Sequence, residues 1–358
     1  MRDRFLRACR REPVDTTPVW FMRQAGRALP EYRVIREQAT LTEITNDPAL
    51  CAEVTLQPVR RLGVDAAILF ADITTPLAGI GVALEMVDGV GPVIERPLRT
   101  ADDLERLLPF DPVAAVGPLL EAIRLVRRES ATPLIGFAGG PFTLASYLVE
   151  GQSSRDAQQL KTLLHADPAT FRGLMAILVD MTVAYLRAQV TAGVQAVQLF
   201  DSWVGTISPF DYQRSVAPHM RRLFSGLADL DVPTIHFGTG SAGLLRVMAD
   251  AGGDVIGLDW RIALADGWAS VPDRAIQGNL DPSLLLGPFD GVADQAHWIL
   301  EQASGRRGHI FNLGHGVLPG TDPDDLRRLV EFVHGAGERL AAFADRSHLT
   351  SATTRSTR

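Results

Sequence analysis

Eight short apolar runs, nearly all separated by amphipathic helical stretches, constrain this chain more than any other feature. They fall at residues 19–22, 65–70, 133–138, 196–200, 233–237, 255–258, 275–277 and 309–313. Within each run hydrophobicity is continuous rather than alternating, the pattern of a strand covered on both faces, as in a parallel sheet wrapped by helices. Helical spacing fills the intervals, among them 48–62, 113–128, 168–191, 209–228, 242–251, 291–303 and 323–343. Eight such units in 358 residues match the count of a (β/α)8 barrel of the TIM type, read here as a single domain over residues 1–345. An open doubly wound sheet is the main rival. Residues 81–98, punctuated by Gly81, Asp88-Gly89 and Gly91-Pro92, read as a β-hairpin insertion after the second strand. Residues 346–358, rich in Ser, Thr and Arg, read as a disordered tail.

In such a barrel the loops after the strand C-termini build the site. Arg23, Asp72, Gly139, Ser202, His236, Asp259, Asn279 and His315 all fall at those ends, so residues distant in sequence are expected to face one mouth. The first run leads into Arg23-Gln24-Ala25-Gly26-Arg27, where Gly26 and Pro30 break the pattern before a helix begins. Two planar guanidiniums on a loop held from both sides suit carboxylates or phosphates. Spacing alone leaves a surface charge pair equally open. Asp72, after four apolar residues, reads either as a helix cap or structural partner of an arginine, or as a carboxylate aimed at a cationic or N–H-rich part of a ligand. His315 stands between Gly314 and Gly316, small neighbours that let a backbone turn sharply and a ligand come close. Ser202 and Tyr147 offer hydroxyl donors to an acidic ligand.

Net charge of −7 argues against nucleic acid as a partner, so an anionic ligand must be drawn by local arginines. No apolar run is read as approaching the ~20 residues of a membrane span. The charged start has neither a following apolar segment nor a cleavage pattern, which makes cytoplasm the expected location and a membrane partner unexpected. Cys9 and Cys51 match no metal spacing, and the eight histidines show neither H-x-H nor H-E-x-x-H, so no metal is expected. Lys161 is the single lysine and lies in a polar helical stretch, which restricts Schiff-base chemistry. No G-x-S-x-G nucleophile elbow is present.

Several segments resemble the uroporphyrinogen decarboxylase family. They are Pro18-Val19-Trp20-Phe21-Met22-Arg23-Gln24-Ala25-Gly26-Arg27, Phe70-Ala71-Asp72-Ile73, Gly136 to Thr143, Tyr147 to Gly151, Gly257-Leu258-Asp259-Trp260, Gln277 to Pro282 and Asn312-Leu313-Gly314-His315-Gly316. The resemblance spans roughly residues 3 to 343 and implies a (β/α)8 barrel, usually a homodimer, with neither metal nor organic cofactor. It implies decarboxylation of the four acetates of uroporphyrinogen III to methyls, giving coproporphyrinogen III and four CO2. Carried over position by position, it implies substrate contacts from Arg23, Gln24, Ala25, Gly26, Arg27, Asp72, Tyr147, Ser202 and His315. Phe137 and Phe200 would form apolar wall, and Asp72 and Arg23 would be catalytic, with Asp72 receiving the pyrrole N–H groups. Two alternatives stand beside it. Related barrels act as zinc- and corrinoid-linked methyltransferases through a His-x-Cys and a later Cys, where this chain has His236-Phe237-Gly238 and His315. A non-catalytic tetrapyrrole carrier would keep the arginines but tolerate loss of Asp72.

Overall fold

The computed structural model describes residues 3–26, 28–87 and 89–336; Arg27, Asp88 and the expected tail at 346–358 lie outside the described residues. The strands are β1 (Ala67–Ile68), β2 (Leu84–Val87), β3 (Gly91–Ile94), β4 (Leu134–Gly139), β5 (Ala196–Asp201), β6 (Thr234–Gly238), β7 (Val255–Gly257), β8 (Ala275–Gln277) and β9 (His309–Ile310). Seven of them form a curled parallel sheet in the order β1-β4-β5-β6-β7-β8-β9, while β2 and β3 pair antiparallel on their own. Sequential order with helical crossovers is what continuous apolar runs and intervening helices demand. Residues 238–243, Gly-Thr-Gly-Ser-Ala-Gly, carry the glycine spacing of a dinucleotide-binding loop. The strand order nonetheless contains no reversal at which an open sheet would bind a nucleotide.

The first apolar run touches both edges of this sheet. Val19 bridges Phe311 in parallel, and the Phe311 N–H donates to Pro18 O at 2.8 Å. On the other side, the Asp65 N–H donates to Val19 O at 2.8 Å. The run does not extend as a ladder because side chains take its next donors. Phe21 N–H goes to Gln24 Oε1 at 2.9 Å and Met22 N–H to Asn312 Oδ1 at 3.1 Å. Beneath the mouth a buried polar chain crosses the interior, from Trp20 Nε1–H to Gln277 Oε1 and from Gln277 Nε2–H to Gln198 Oε1, each at 3.0 Å.

Helix Pro48–Leu62 has the bounds its sequence signals: the Asp47 side chain accepts from Ala49 and Leu50 N–H groups, Pro48 opens it and Gly63 ends it at φ 71°. Helix Pro141–Glu150 escapes a reading by periodicity because it is buried almost all round and has no polar stripe. Leu264–Ser270, short and containing Gly267, escapes it as well. Helix Pro168–Ala192 is long and apolar enough to cross a bilayer by length and composition, which corrects the expectation that no segment is. Over half (56%) of its most apolar window is buried, against helices Pro112–Glu129, Pro141–Glu150 and Ala217–Ser225.

Candidate active site

A cavity of about 960 Å³ opens where the strands end. Its lining includes Arg23, Ala25, Gly26, Asp72, Phe137, Tyr147, Phe200, Ser202 and His315, so nine of the residues singled out in the sequence come together from six separate segments. Phe137, Phe200 and Phe237 stand on adjacent strands as a run of edge-to-face rings, with centroids 5.4 Å and 6.0 Å apart. Contacts of this kind keep an apolar wall rigid. Phe237 was not among the expected residues. Its signal is the register that pairs it with Phe200, which a single sequence does not reveal.

Asp72 follows β1 and begins a tight turn. Its Oδ1 accepts from the Thr74 N–H at 2.8 Å and the Thr74 hydroxyl at 2.6 Å, while its own N–H donates to Thr75 Oγ1 at 3.1 Å. The carboxylate therefore closes a turn just ahead of the short 3-10 helix Thr75–Ile80, whose N-cap is Thr74, and it lines the cavity. Two residues earlier, helix Pro48–Leu62 grips the Phe70 peptide at both ends: Phe70 N–H donates to Thr55 Oγ1 at 3.0 Å and the Cys51 thiol donates to Phe70 O at 3.2 Å. Burial pushes the Cys51 thiol up to about 12, so it serves here as a neutral donor. Ser202 is held similarly, since Asp201 Oδ1 accepts from Thr143 Oγ1 at 2.7 Å and Trp203 N–H donates to the same hydroxyl oxygen at 3.1 Å.

Five placements differ from expectation. Gly139 ends β4 buried against Leu144 and does not line the cavity. Gln24 does not line the cavity: it is 1% exposed, and its amide links Phe21 N–H to Ala66 O, tying the first run to the strand beside it. His236 is fully buried against the Phe224 ring, 5.3 Å between centroids, because its neighbour Phe237 takes the inward position and side chains alternate along a strand. Asp259 and Asn279 are also buried and brace loops instead. Asp259 Oδ2 accepts from Gly240 N–H and the Arg261 guanidinium, each at 2.5 Å, and Asn279 Nδ2 donates to the carbonyls of Asp259 and Ile262. The glycines around His315 make room for protein rather than for a ligand alone. A methyl on Gly314 would fall 2.9 Å from Asp259 C, and one on Gly316 would fall 2.7 Å from Arg23 Cγ. Arg36, which the sequence reading passed over, also lines the cavity, one helical turn beyond Tyr32 on helix Pro30–Arg36.

His315 is pushed down to about 4, chiefly by burial and then by the Arg23 and Arg261 charges, against a smaller opposing pull from Asp259. It therefore faces the cavity as a neutral ring at neutral pH. Burial raises the Tyr147 phenol, aided by the Asp72 charge and opposed by Trp203 and Arg23, so it too stays protonated and can donate. His309, buried on β9, is also lowered to about 4 by burial, with a partial offset from its hydrogen bond to Gly278 O. Both native values lie below the 6.5 of an exposed histidine, so the unfolded chain binds protons that the native one does not. Stability is then full above pH ~6.5 and falls as pH drops toward 4, by up to about 1.4 kcal/mol per unit for each ring. Denaturant unfolding between pH 7 and 5 should show this slope, and His309→Leu should reduce it; an unchanged slope in that variant would contradict the assignment.

Among the described residues no three His, Cys, Asp or Glu side chains converge as a metal site, and Cys9 and Cys51 are free and buried apart from the cavity. Residues 1–336 match the family model described as uroporphyrinogen decarboxylase (URO-D). The uroporphyrinogen decarboxylase of Streptomyces coelicolor is 54% identical over 332 residues, 92% of this chain and 93% of that one. That of Sorangium cellulosum is 54% identical over 337 residues, 93% and 96% of the two chains. Among solved structures, a methyltransferase from Methanosarcina mazei superposes with a TM-score of 0.76 at 22% identity, covering 93% of this chain and 97% of that one, a likeness of fold alone. With more than half of the residues shared along nine-tenths of both chains, and a family model that runs through every cavity-lining segment, the chain belongs to the uroporphyrinogen decarboxylase family.

Proposed function

We propose that this protein decarboxylates the four acetate side chains of uroporphyrinogen III, giving coproporphyrinogen III and four CO2 in porphyrin biosynthesis. The observation that carries the reading is the carboxylate of Asp72, at the strand-end wall of a large cavity that it shares with Arg23, Tyr147 and an aromatic face, while the other lining carboxylate, Glu85, stands on the β2–β3 pair. Losing CO2 breaks a C–C bond and leaves an electron pair that needs a sink. A pyrrole protonated on carbon accepts that pair, a proton delivered to the exocyclic carbon completes the methyl, and the ring carbon then gives up its own proton to restore the pyrrole. Each cycle consumes one proton overall and involves no redox change. Asp72 receives the pyrrole N–H groups and stabilises the cationic ring, an interaction stronger in the transition state than in the ground state. Arg23 holds the reacting acetate, since a guanidinium of pKa above ~12 serves better as an anchor than as an acid. Neutral His315, Tyr147 and Ser202 offer hydrogen bonds to the remaining acid groups, Ala25 and Gly26 backbone contacts, and Phe137 with Phe200 the apolar face.

On the same reading, residues 18–22 are the first stave of a closed eight-stave barrel in one domain, because they meet both edges of the sheet. The β2–β3 pair is an insertion that supplies one wall of the cavity, with Leu84, Met86 and Val87 on its lining. A cytoplasmic homodimer that needs no cofactor completes the proposal. Anaerobic incubation with uroporphyrinogen III, followed by oxidation and separation by carboxyl number, should yield hepta- to tetracarboxylate porphyrins, with or without chelator. If no such products form while the tetrapyrrole still binds, the carrier reading replaces this one; inhibition by chelator that zinc reverses would revive the methyltransferase reading.

A further inference from the structure

We infer that Thr74 is a positioning residue that fixes the plane of the Asp72 carboxylate and so holds one oxygen free toward the substrate, an inference that rests on the role proposed for Asp72 above. Two donors of one residue converge on one oxygen: the Thr74 N–H at 2.8 Å and its hydroxyl at 2.6 Å both reach Asp72 Oδ1. Among the described residues, every hydrogen bond to this carboxylate falls on Oδ1. The last torsion of an aspartate is broad, so a carboxylate at a cavity wall would otherwise swing through a range of planes. With Oδ1 committed, Oδ2 keeps its lone pairs for N–H donors from the ligand.

The turn itself does not need the hydroxyl. An aspartate two residues before a free N–H forms an Asx turn with that N–H alone, and Thr75 closes the turn from the other side with its N–H to Asp72 O at 3.1 Å. Valine has the shape of threonine and would fill the same space. What the hydroxyl adds is a second, charge-assisted donor to the carboxylate, at a site where Thr74 is 1% exposed and water competes little. The surroundings are built to transmit that placement. The Phe70 peptide is gripped by Thr55 and Cys51, so the backbone entering Asp72 is fixed and the only freedom left is the carboxylate's own rotation.

The test is steady-state decarboxylation of uroporphyrinogen III by the full chain and by Thr74→Val and Thr74→Ser, with thermal melting of each. Thr74→Val is expected to lower kcat about 10-fold with KM within about twofold, the loss of one charge-assisted hydrogen bond expressed in the reacting complex. Thr74→Ser, which restores the hydroxyl without the methyl, should return kcat to within about threefold of the unaltered chain. Should Thr74→Val not fold, Thr74→Ala makes the same deletion. The inference fails if the hydroxyl-free variant turns over at the unaltered rate, or if Thr74→Ser is as slow as Thr74→Val, which would assign the effect to packing. An inactive unaltered chain would instead overturn the proposed function.

Discussion

Asp72→Asn is expected to lower kcat for uroporphyrinogen by about 10³-fold while leaving tetrapyrrole binding measurable. The substitution preserves size and removes charge, so it removes the counter-charge for a pyrrole that must be protonated on carbon, and therefore cationic, before CO2 departs. Geometry adds a second effect. The Thr74 hydroxyl can rotate to accept, but the Thr74 N–H can only donate, so the asparagine must turn its carbonyl oxygen toward Thr74. Its NH2 then occupies the place of Oδ2, presenting a donor where the ligand's N–H groups need an acceptor. Single-turnover product analysis, together with equilibrium binding of coproporphyrinogen, separates the chemical loss from the binding loss. Turnover within tenfold of the unaltered chain would remove Asp72 from the mechanism.

Some of this site was legible in the chain because local rules operate there. Asp47, Pro48 and Gly63 announce the ends of a helix, and continuous apolar runs announce buried strands; both follow from backbone hydrogen bonding and burial. What a continuous run hides is parity. In an alternating strand, polarity would reveal which side chains face inward, but in residues 233–237 His236 and Phe237 are both buried, and only the register with β5 distinguishes the cavity face from the helix face. Gln24 shows a second limit, since a residue inside a functional segment can spend its side chain on holding that segment together. Arg36 shows a third, because its approach to the cavity depends on the direction in which helix Pro30–Arg36 leaves the Arg23 loop.

The glycine after His315 lends itself to a sharper test of Arg23. Its backbone requires no left-handed φ, so alanine is conformationally tolerated there, and any effect must come from contact. A methyl at Gly316 would lie 2.7 Å from Arg23 Cγ and 3.0 Å from Arg23 Cβ, well inside the ~3.5 Å at which carbon atoms meet comfortably. Those atoms are the root of the side chain, and Arg23 itself sits at φ 58°, a sparsely populated region that fixes the direction of its Cβ. The arginine must therefore change rotamer and carry its guanidinium away from the cavity. Gly316→Ala is expected to reduce kcat/KM about 100-fold, the scale on which small misplacements of a positioning group act. Arg23→Ala should be at least as severe, and the double variant should resemble Arg23→Ala alone, because the added methyl then has nothing left to displace. If the two losses multiply instead, the methyl acts directly on the ligand through the wall that Gly316 also lines, and Arg23 is not the group through which this glycine matters.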